Sequence, residues 1–536
     1  MRTVATRVGL SLLSALMLFL AVPTWGLWPL MWVALVPQIW VALDAPTHKR
    51  AFLYGWLTGT AANAVAFSWM DGLLERFGHM PGWEAIPIMM LLTTYQGLEF
   101  GLWSWGVHRL SRRAPHVQLA WLAPLVMVSI ELLVPQIFPF YLAISQAWVT
   151  PVIQIADLTG PMGVSFVLVM TTGALYDAGR AAWETHGRGL RVGAVAGSAG
   201  RRLVIPAAVV AVVLGYGFAR MHQIDRRRQA APQARVGIVQ ANIGIQEKWD
   251  PRQAAQILRL HQDLSSDLAR RGADLIVWPE SSYPYALPRD VEKDFGPGDP
   301  RRISGTPTTP LLFGAVTVAR PPRAGKDRYP YNTALMIDGA GRITGKYDKV
   351  FLLIFGEYIP FYEHIPWFTQ VVPDASNFNR GDEPAAFPFR VGGRDFRLGP
   401  LICYEDILPQ FTRRAAALKP NLLVNITNDA WFGKTAEPYQ HLALSVFRSV
   451  EHRLDMVRAV NTGVSAHVDA VGRVRLSGPA ADPDRVPAPV PQALLADAAL
   501  LDPGGLYVHI GDLFAIGCLG ALIFLAVRRP SARRRR

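Results

Sequence analysis

The chain has 536 residues, of which 51% are hydrophobic and only 18% charged, and its net charge is +13. A soluble enzyme of this length carries about 25% charged residues, so a large share of this chain is expected in lipid. The positive charge does not point to nucleic acid, because the basic residues cluster beside apolar runs, where membrane proteins place them.

A helix needs about 18 or more mainly apolar residues to cross a bilayer. Eight segments qualify, roughly 8–23, 26–43, 51–70, 86–108, 117–139, 150–176, 202–219 and 508–527. The first is read as a retained helix, since no small-x-small cleavage site follows it and the next apolar run begins almost at once. With the N-terminus in the cytoplasm, the cytoplasmic segments hold Arg2 and Arg7; Lys49 and Arg50; Arg109, Arg112 and Arg113; Arg180, Arg188, Arg191, Arg201 and Arg202; and Arg528, Arg529 and Arg533 to Arg536. The two short loops on the other side hold only Arg76. The expected protein is therefore multi-pass, with both termini cytoplasmic and the long segment before the last span extracytoplasmic, in bacterial terms periplasmic. It has a seven-span domain at 1–219, a periplasmic domain at 220–507, and a last span with a basic tail at 508–536. The Gly-rich 187–200 lacks the Gly-Lys-Ser/Thr of a phosphate loop and reads as a flexible cytoplasmic linker.

The segment 220–507 alternates short β-branched runs with amphipathic stretches, the pattern of an α/β layered domain. Strands are expected at 235–240, 274–280, 311–318, 332–338, 396–405, 421–429 and 463–474. Helices are expected at 251–271 and 439–460. The aromatic stretch 351–373 contains Glu357, Glu363, Pro360 and Pro366, which argue against a ninth span. It reads either as a loop beside the site, dipping toward the membrane surface, or as part of the domain core.

Only two cysteines occur. Cys403 lies in "GPLICYEDI" outside the membrane, where thiols tend to pair, but Cys518 falls within the last span. Cys403 is thus either a buried inert thiol or a working nucleophile. A free thiol is mostly protonated near neutral pH, so chemistry needs a base and a cation for the developing oxyanion. Glu280 in "IVWPES" and Lys349 in "GKYDKVFLLIFGEYIP" are the candidates.

"WPES", "YDK…FGEY" and "LICYED", with "NITNDAWFG" (425–433) and "RAVNTGVSA" (458–466), resemble the carbon–nitrogen hydrolase (nitrilase) superfamily. With a multi-span part before that domain and one span after it, the chain is similar over essentially its whole length to the membrane-bound apolipoprotein N-acyltransferase family. The resemblance implies a nitrilase-like α-β-β-α sandwich with Glu280 as general base, Lys349 as oxyanion stabiliser and Cys403 as nucleophile. It also implies that Glu357 orients the lysine or relays protons, and that Tyr404, Glu405 and Trp249 shape the site. Two positions depart from the family pattern. Ile354 stands where proline usually precedes "FGE", and Leu132 and Leu133 follow Glu131 where an Arg-Gly pair is usual, which leaves Glu131 without an assigned role.

The reaction implied is acyl transfer through a thioester, from a phosphatidylethanolamine-like phospholipid to the α-amino group of the diacylglyceryl-cysteine of an apolipoprotein. Tethering by spans on both sides suits two lipid substrates. No cofactor is implied. The twelve histidines show no His-x-x-x-His spacing, so no metal is expected, nor is a nucleic-acid partner. The rival readings are a membrane-tethered amidase or nitrilase that hydrolyses a C–N bond, and a non-enzymatic membrane scaffold with a degenerate domain.

Overall fold

The computed structural model describes residues 3–77, 80–187, 192–305, 308–319, 329–354, 356–358, 378–433, 435–475 and 490–527. The basic tail from 528 and most of the aromatic stretch 351–373 lie outside the described residues. By packing, the chain forms two units, one of residues 1–68, 83–221 and 509–536, the other of residues 69–82 and 222–508.

The first unit is helical. Two of its helices, Pro161–His186 and Gly193–Ala230, are by length and composition long and apolar enough to cross a membrane, and Val4–Leu20, Trp28–Asp44, Leu119–Leu133 and Leu513–Val527 are shorter apolar helices. Helix His48–Ala66 meets helix Gly82–Arg113 through small residues: a Cβ on Gly55 would lie 2.3 Å from the Phe100 carbonyl oxygen, and one on Gly59 2.7 Å from that of Gly97. Such close backbone approach is how apolar helices gain contact without a hydrophobic driving force.

Two sequence expectations change here. The run 150–176 is not one helix. Thr150–Ile153 and Ala156–Thr159 are separate short helices, and the long helix starts at Pro161. Gly160 has φ +66°, and proline is suited to a first helical turn but not to an interior one. The stretch 192–200 is not a linker, because the helix Val192–Ala230 runs through it. Its Gly193, Gly197 and Gly200 would each present a Cβ to open space, so they weaken the helix by about 1 kcal/mol each relative to Ala without breaking it. The same helix continues past the boundary expected at 219.

The second unit contains two sheets. The first is built from β1 (Gln233–Gln240), β2 (Leu275–Val277), β3 (Leu287–Pro288), β4 (Leu311–Ala319), β5 (Tyr329–Ile337), β6 (Ile343–Asp348) and a late strand, β13 (Gln492–Ala499). Its order is β13-β1-β2-β4-β5-β6, with β3 beside β4. The second contains β7 (Phe387–Val391), β8 (Arg394–Ile402), β9 (Leu422–Thr427), β10 (Met456–Val460), β11 (Ala466–Val468) and β12 (Val474–Arg475), in the order β12-β11-β10-β9-β8-β7. In it, β8, β9 and β10 run parallel.

The inner faces share one core, with Val236, Ile238, Val277 and Leu312 of the first sheet clustered with Leu398, Leu401, Leu422 and Val424 of the second. Helix Ala254–Arg270 covers the outside of the first sheet through Leu258 and Leu268 against Ile276, Trp278 and Phe313. Helix Pro409–Ala417 packs on β8 and against helix Glu437–His452. The layers are therefore helix, sheet, sheet, helix.

The helix expected at 439–460 ends at His452. Arg453 adopts the left-handed conformation (φ +56°), and the chain turns there into β10. Residues 69–82 also belong to this unit: Trp69 donates its indole N–H to Gln440 Oε1 at 3.1 Å and meets Phe432 edge-on at 5.1 Å.

Candidate active site

Glu280 follows the C-terminal end of β2. The turn carrying it lies directly over β4: a Cβ on Gly314 would sit 2.4 Å from the Ser281 nitrogen and 2.7 Å from the Glu280 Cα. Ser281 itself has φ +47°. Only glycine at 314 leaves room for this turn, which holds Glu280 inward at 6% exposure.

Lys349 is the residue after β6. Its amide donates to the Asn332 carbonyl at 2.8 Å. Its side chain is 1% exposed, and Nζ reaches Glu280 Oε1 at 3.2 Å and Glu357 Oε2 at 2.7 Å. Glu357 also accepts the Leu353 amide at 2.9 Å. Asn332, on β5, uses its Nδ2 to donate to both carboxylates, at 2.6 Å to Glu280 and 2.8 Å to Glu357. Two acids are thus held around one ammonium. Burial alone would lower the Lys349 pKa, but Glu280 and then Glu357 outweigh it and hold the group well above the usual lysine value.

Cys403 directly follows β8 with φ +51°, and it is buried. Non-glycine residues seldom occupy that region, and a residue persists there only where its surroundings hold it in place. Glu405 holds the turn in place. One oxygen accepts the Ile402 amide at 2.9 Å, and the other accepts Tyr347 Oη at 2.6 Å and the amides of Val350 and Phe351 at 2.7 and 3.1 Å. One side chain therefore ties the cysteine turn to the segment that carries Lys349. Burial raises the Glu405 pKa to about 7 against these donors.

The Cys403 thiol is pushed well above its ordinary pKa, first by burial and then by Glu280, with Lys349 acting in the opposite direction. The resting group is therefore a thiol, and a thiol acts as a nucleophile only with a base to take its proton. Tyr404 is half-buried against the inter-sheet core, and burial raises its phenol pKa. Trp249 is 52% exposed. Its ring faces Lys248 Nζ at 5.8 Å, and it is Lys248, buried, that donates to the Glu280 carbonyl oxygen at 2.8 Å.

Behind the cysteine turn lies a second buried charge cluster. His441 Nε2 meets Asp406 at 2.9 Å and its Nδ1 meets Asp429 at 3.3 Å. Ser445 donates to Asp406 at 2.7 Å, and Arg458 is hydrogen-bonded to the same carboxylate. Ligand-type atoms of Asp429, Glu437 and His441 lie within 4.8 Å of one another. Both ring nitrogens of His441 already face carboxylates. Burial opposes its charge, but Asp406 prevails and raises its pKa to about 10. His441 and Arg458 are the basic side chains that face these acids.

The structure thus joins Glu280, Lys349 and Glu357 by direct contact and ties the Cys403 turn to the Lys349 segment through Glu405; Tyr404 packs on the inter-sheet core, and Trp249 stands exposed beside Lys248. Sequence reasoning missed Asn332, Lys248 and the Asp406–His441–Asp429 group. Lys248 stands next to the singled-out Trp249, and Asn332 is a polar residue in a mostly apolar strand, but neither carries a signal that distinguishes it from a solvated side chain.

Residues 14–174 match the family described as apolipoprotein N-acyltransferase N-terminal domain, and residues 235–481 match carbon-nitrogen hydrolase. The chain is 31% identical over 535 residues to an apolipoprotein N-acyltransferase from Geobacter metallireducens, covering 97% of this chain and 95% of that one. It is 30% identical over 477 residues to a protein of the same name from Bdellovibrio bacteriovorus, covering 84% and 82%. Among solved structures, an amidase of the nitrilase superfamily from Nesterenkonia AN1 is similar at 22% identity and a TM-score of 0.33, over 49% of this chain and 91% of that one.

Proposed function

The chain belongs to the apolipoprotein N-acyltransferase family, and on that premise we propose that it acylates lipoproteins from a phospholipid by a two-step mechanism centred on Cys403. Glu280 takes the Cys403 proton as sulfur attacks an ester carbonyl of a phosphatidylethanolamine-like donor. Lys349 faces the developing oxyanion. The C–O bond breaks, the lysophospholipid oxygen takes the proton back from Glu280, and the acyl chain remains on sulfur as a thioester. The α-amino group of a diacylglyceryl-cysteine then attacks the thioester. An N–C bond forms, the C–S bond breaks, and the amine proton passes through Glu280 to sulfur. This is covalent catalysis in ping-pong order.

The observation that carries this reading is the buried cluster itself, with one ammonium between two carboxylates and a buried thiol at a strand end in the left-handed region. Glu357 and Asn332 position the ammonium, Glu405 positions the thiol, and Tyr404 and Trp249 border the entry for acyl chains. The proposed setting is a bacterial inner membrane crossed eight times, with residues 1–219 and 508–536 as the membrane part, both termini cytoplasmic and the domain at 220–507 periplasmic. The two long apolar helices and the one-sided distribution of Arg and Lys support it.

The same pocket could hydrolyse, so the fate of the thioester distinguishes transferase from amidase or lipase. Purified enzyme given phosphatidylethanolamine and a synthetic diacylglyceryl-cysteinyl peptide is expected to convert the peptide amine to an amide, with little free fatty acid. Release of fatty acid at an equal rate with and without the peptide contradicts the proposal.

A further inference from the structure

The pocket contains a second buried lysine that its sequence motifs do not assign. Lys248 lies in the short helix Ile245–Lys248, and its Nζ donates to the main-chain oxygen of Glu280. The titratable groups facing it are Glu280, Cys403 and His261. His261 donates through Nδ1 to the Ile257 carbonyl oxygen, and burial lowers its pKa to about 4, so it contributes no charge near neutrality. The thiol faces the carboxylates of Glu280 and Asp429 and the ammonium of Lys349, and Lys248 faces it in turn. Loss of the Lys248 charge therefore removes one of two cations next to a sulfur that must itself become negative.

Resting on the acyl-enzyme reading above, we infer that Lys248 is a positioning residue of the first half-reaction: its ammonium fixes the turn bearing Glu280 and supplies the second positive charge that the Cys403 thiolate requires. Moving the proton from sulfur to Glu280 leaves the total charge unchanged, so both cations face the same charge throughout attack as long as Lys248 stays protonated. Burial lowers its pKa to about 8, against the opposing pull of Glu280 and Cys403. The sign follows: below that value Lys248 is charged and supports attack, and as pH rises through it the support is lost. Lys349, held well above the ordinary lysine value, does not titrate in this window; Glu405, raised to about 7 by burial, ionises within it but does so in wild type and Lys248 variants alike, so the comparison between them isolates Lys248.

The test measures acyl-enzyme formation on the full-length protein from phosphatidylethanolamine vesicles without acceptor. That choice removes the amine, whose own pKa is about 8. Quenched samples are read by intact mass at pH 6 to 9.5. Wild type is expected to lose rate with a midpoint near the Lys248 pKa of about 8. In K248R the guanidinium stays charged, and the alkaline decline is expected to disappear. K248M is expected to be slower at pH 7 by about 10-fold or more, since one neighbouring charge moves a pKa by about 1 unit or more. A purely structural Lys248 would slow both variants evenly at every pH. Adduct formation in wild type together with an unchanged alkaline midpoint in K248R, or a wild-type rate in K248M at pH 7, overturns the role of Lys248 alone. No adduct in wild type overturns the acyl-enzyme reading and this inference with it.

Discussion

Cys403→Ser is expected to lower acyl transfer by about 10⁴-fold or more, the scale on which loss of a nucleophile is felt when catalytic groups act as a unit. The substitution replaces one atom and keeps the backbone. The φ of +51° at residue 403, the Asn425 Nδ2 bond to its carbonyl at 3.2 Å and the four Glu405 contacts that hold the turn do not involve sulfur. Thermal unfolding is therefore expected to stay at the wild-type midpoint while lysophospholipid release stops. The chemical reason is acidity. Burial already holds the thiol well above its ordinary pKa, and a hydroxyl in the same place is far less acidic than a thiol, so Glu280 cannot deprotonate it at a useful rate. A variant that folds and still releases lysophospholipid at a tenth of the wild-type rate would remove Cys403 from the mechanism.

Lys349→Met is expected to damage both rate and stability. Loss of one preorganised donor to an oxyanion typically costs about 10²–10³-fold in turnover. The same change leaves Glu280 and Glu357 buried without the ammonium that reaches both, at 3.2 and 2.7 Å. Breaking a buried ion pair from one side costs about 3–5 kcal/mol. Asn332 still bridges the two acids, but an amide is not a countercharge. Without the cation the acids hold protons to higher pH in the folded state, so the variant is expected to be most stable at low pH and to lose stability as pH rises. The measurement is thermal unfolding across pH 5 to 8 beside lysophospholipid release. A variant as stable as wild type at pH 8 would mean that the two carboxylates do not depend on Lys349.

The strands most legible in the sequence were those with continuous β-branched or apolar runs. β1, β4, β8 and β9 lie within a few residues of where those runs suggest. β6 and β7 were not legible. "ITGKYD" has no buried position before Tyr347 and carries Gly345 and Lys346, and a short run of this kind does not stand out from a loop. The helix expected over 439–460 fused two elements, because Arg453 takes the left-handed conformation without being a glycine, and no turn residue marks the break.

The chemistry of the site was legible through motif segments rather than through local physics. Glu280, Lys349 and Cys403 lie 69 and 54 residues apart in sequence, and only the two facing sheets bring their strand ends together. Asn332 and Lys248 share that placement without a motif. A strand asparagine bonded to two carboxylates and a buried lysine on a main-chain oxygen look, in a single sequence, like any surface amide or cation. Glu405 was assigned to shaping the site. Its four donors give that assignment a physical form, because it fixes the distance between the lysine-bearing segment and the thiol.

The most direct measurement is the intact mass of the purified full-length protein after incubation with a phospholipid of defined acyl chains and no acceptor. The account predicts a mass increase of one acyl group, located on Cys403 by proteolysis, removed by neutral hydroxylamine, and discharged when a diacylglyceryl-cysteinyl peptide is added. An unmodified Cys403 during steady lysophospholipid release, or an acyl group carried on another residue, would contradict it.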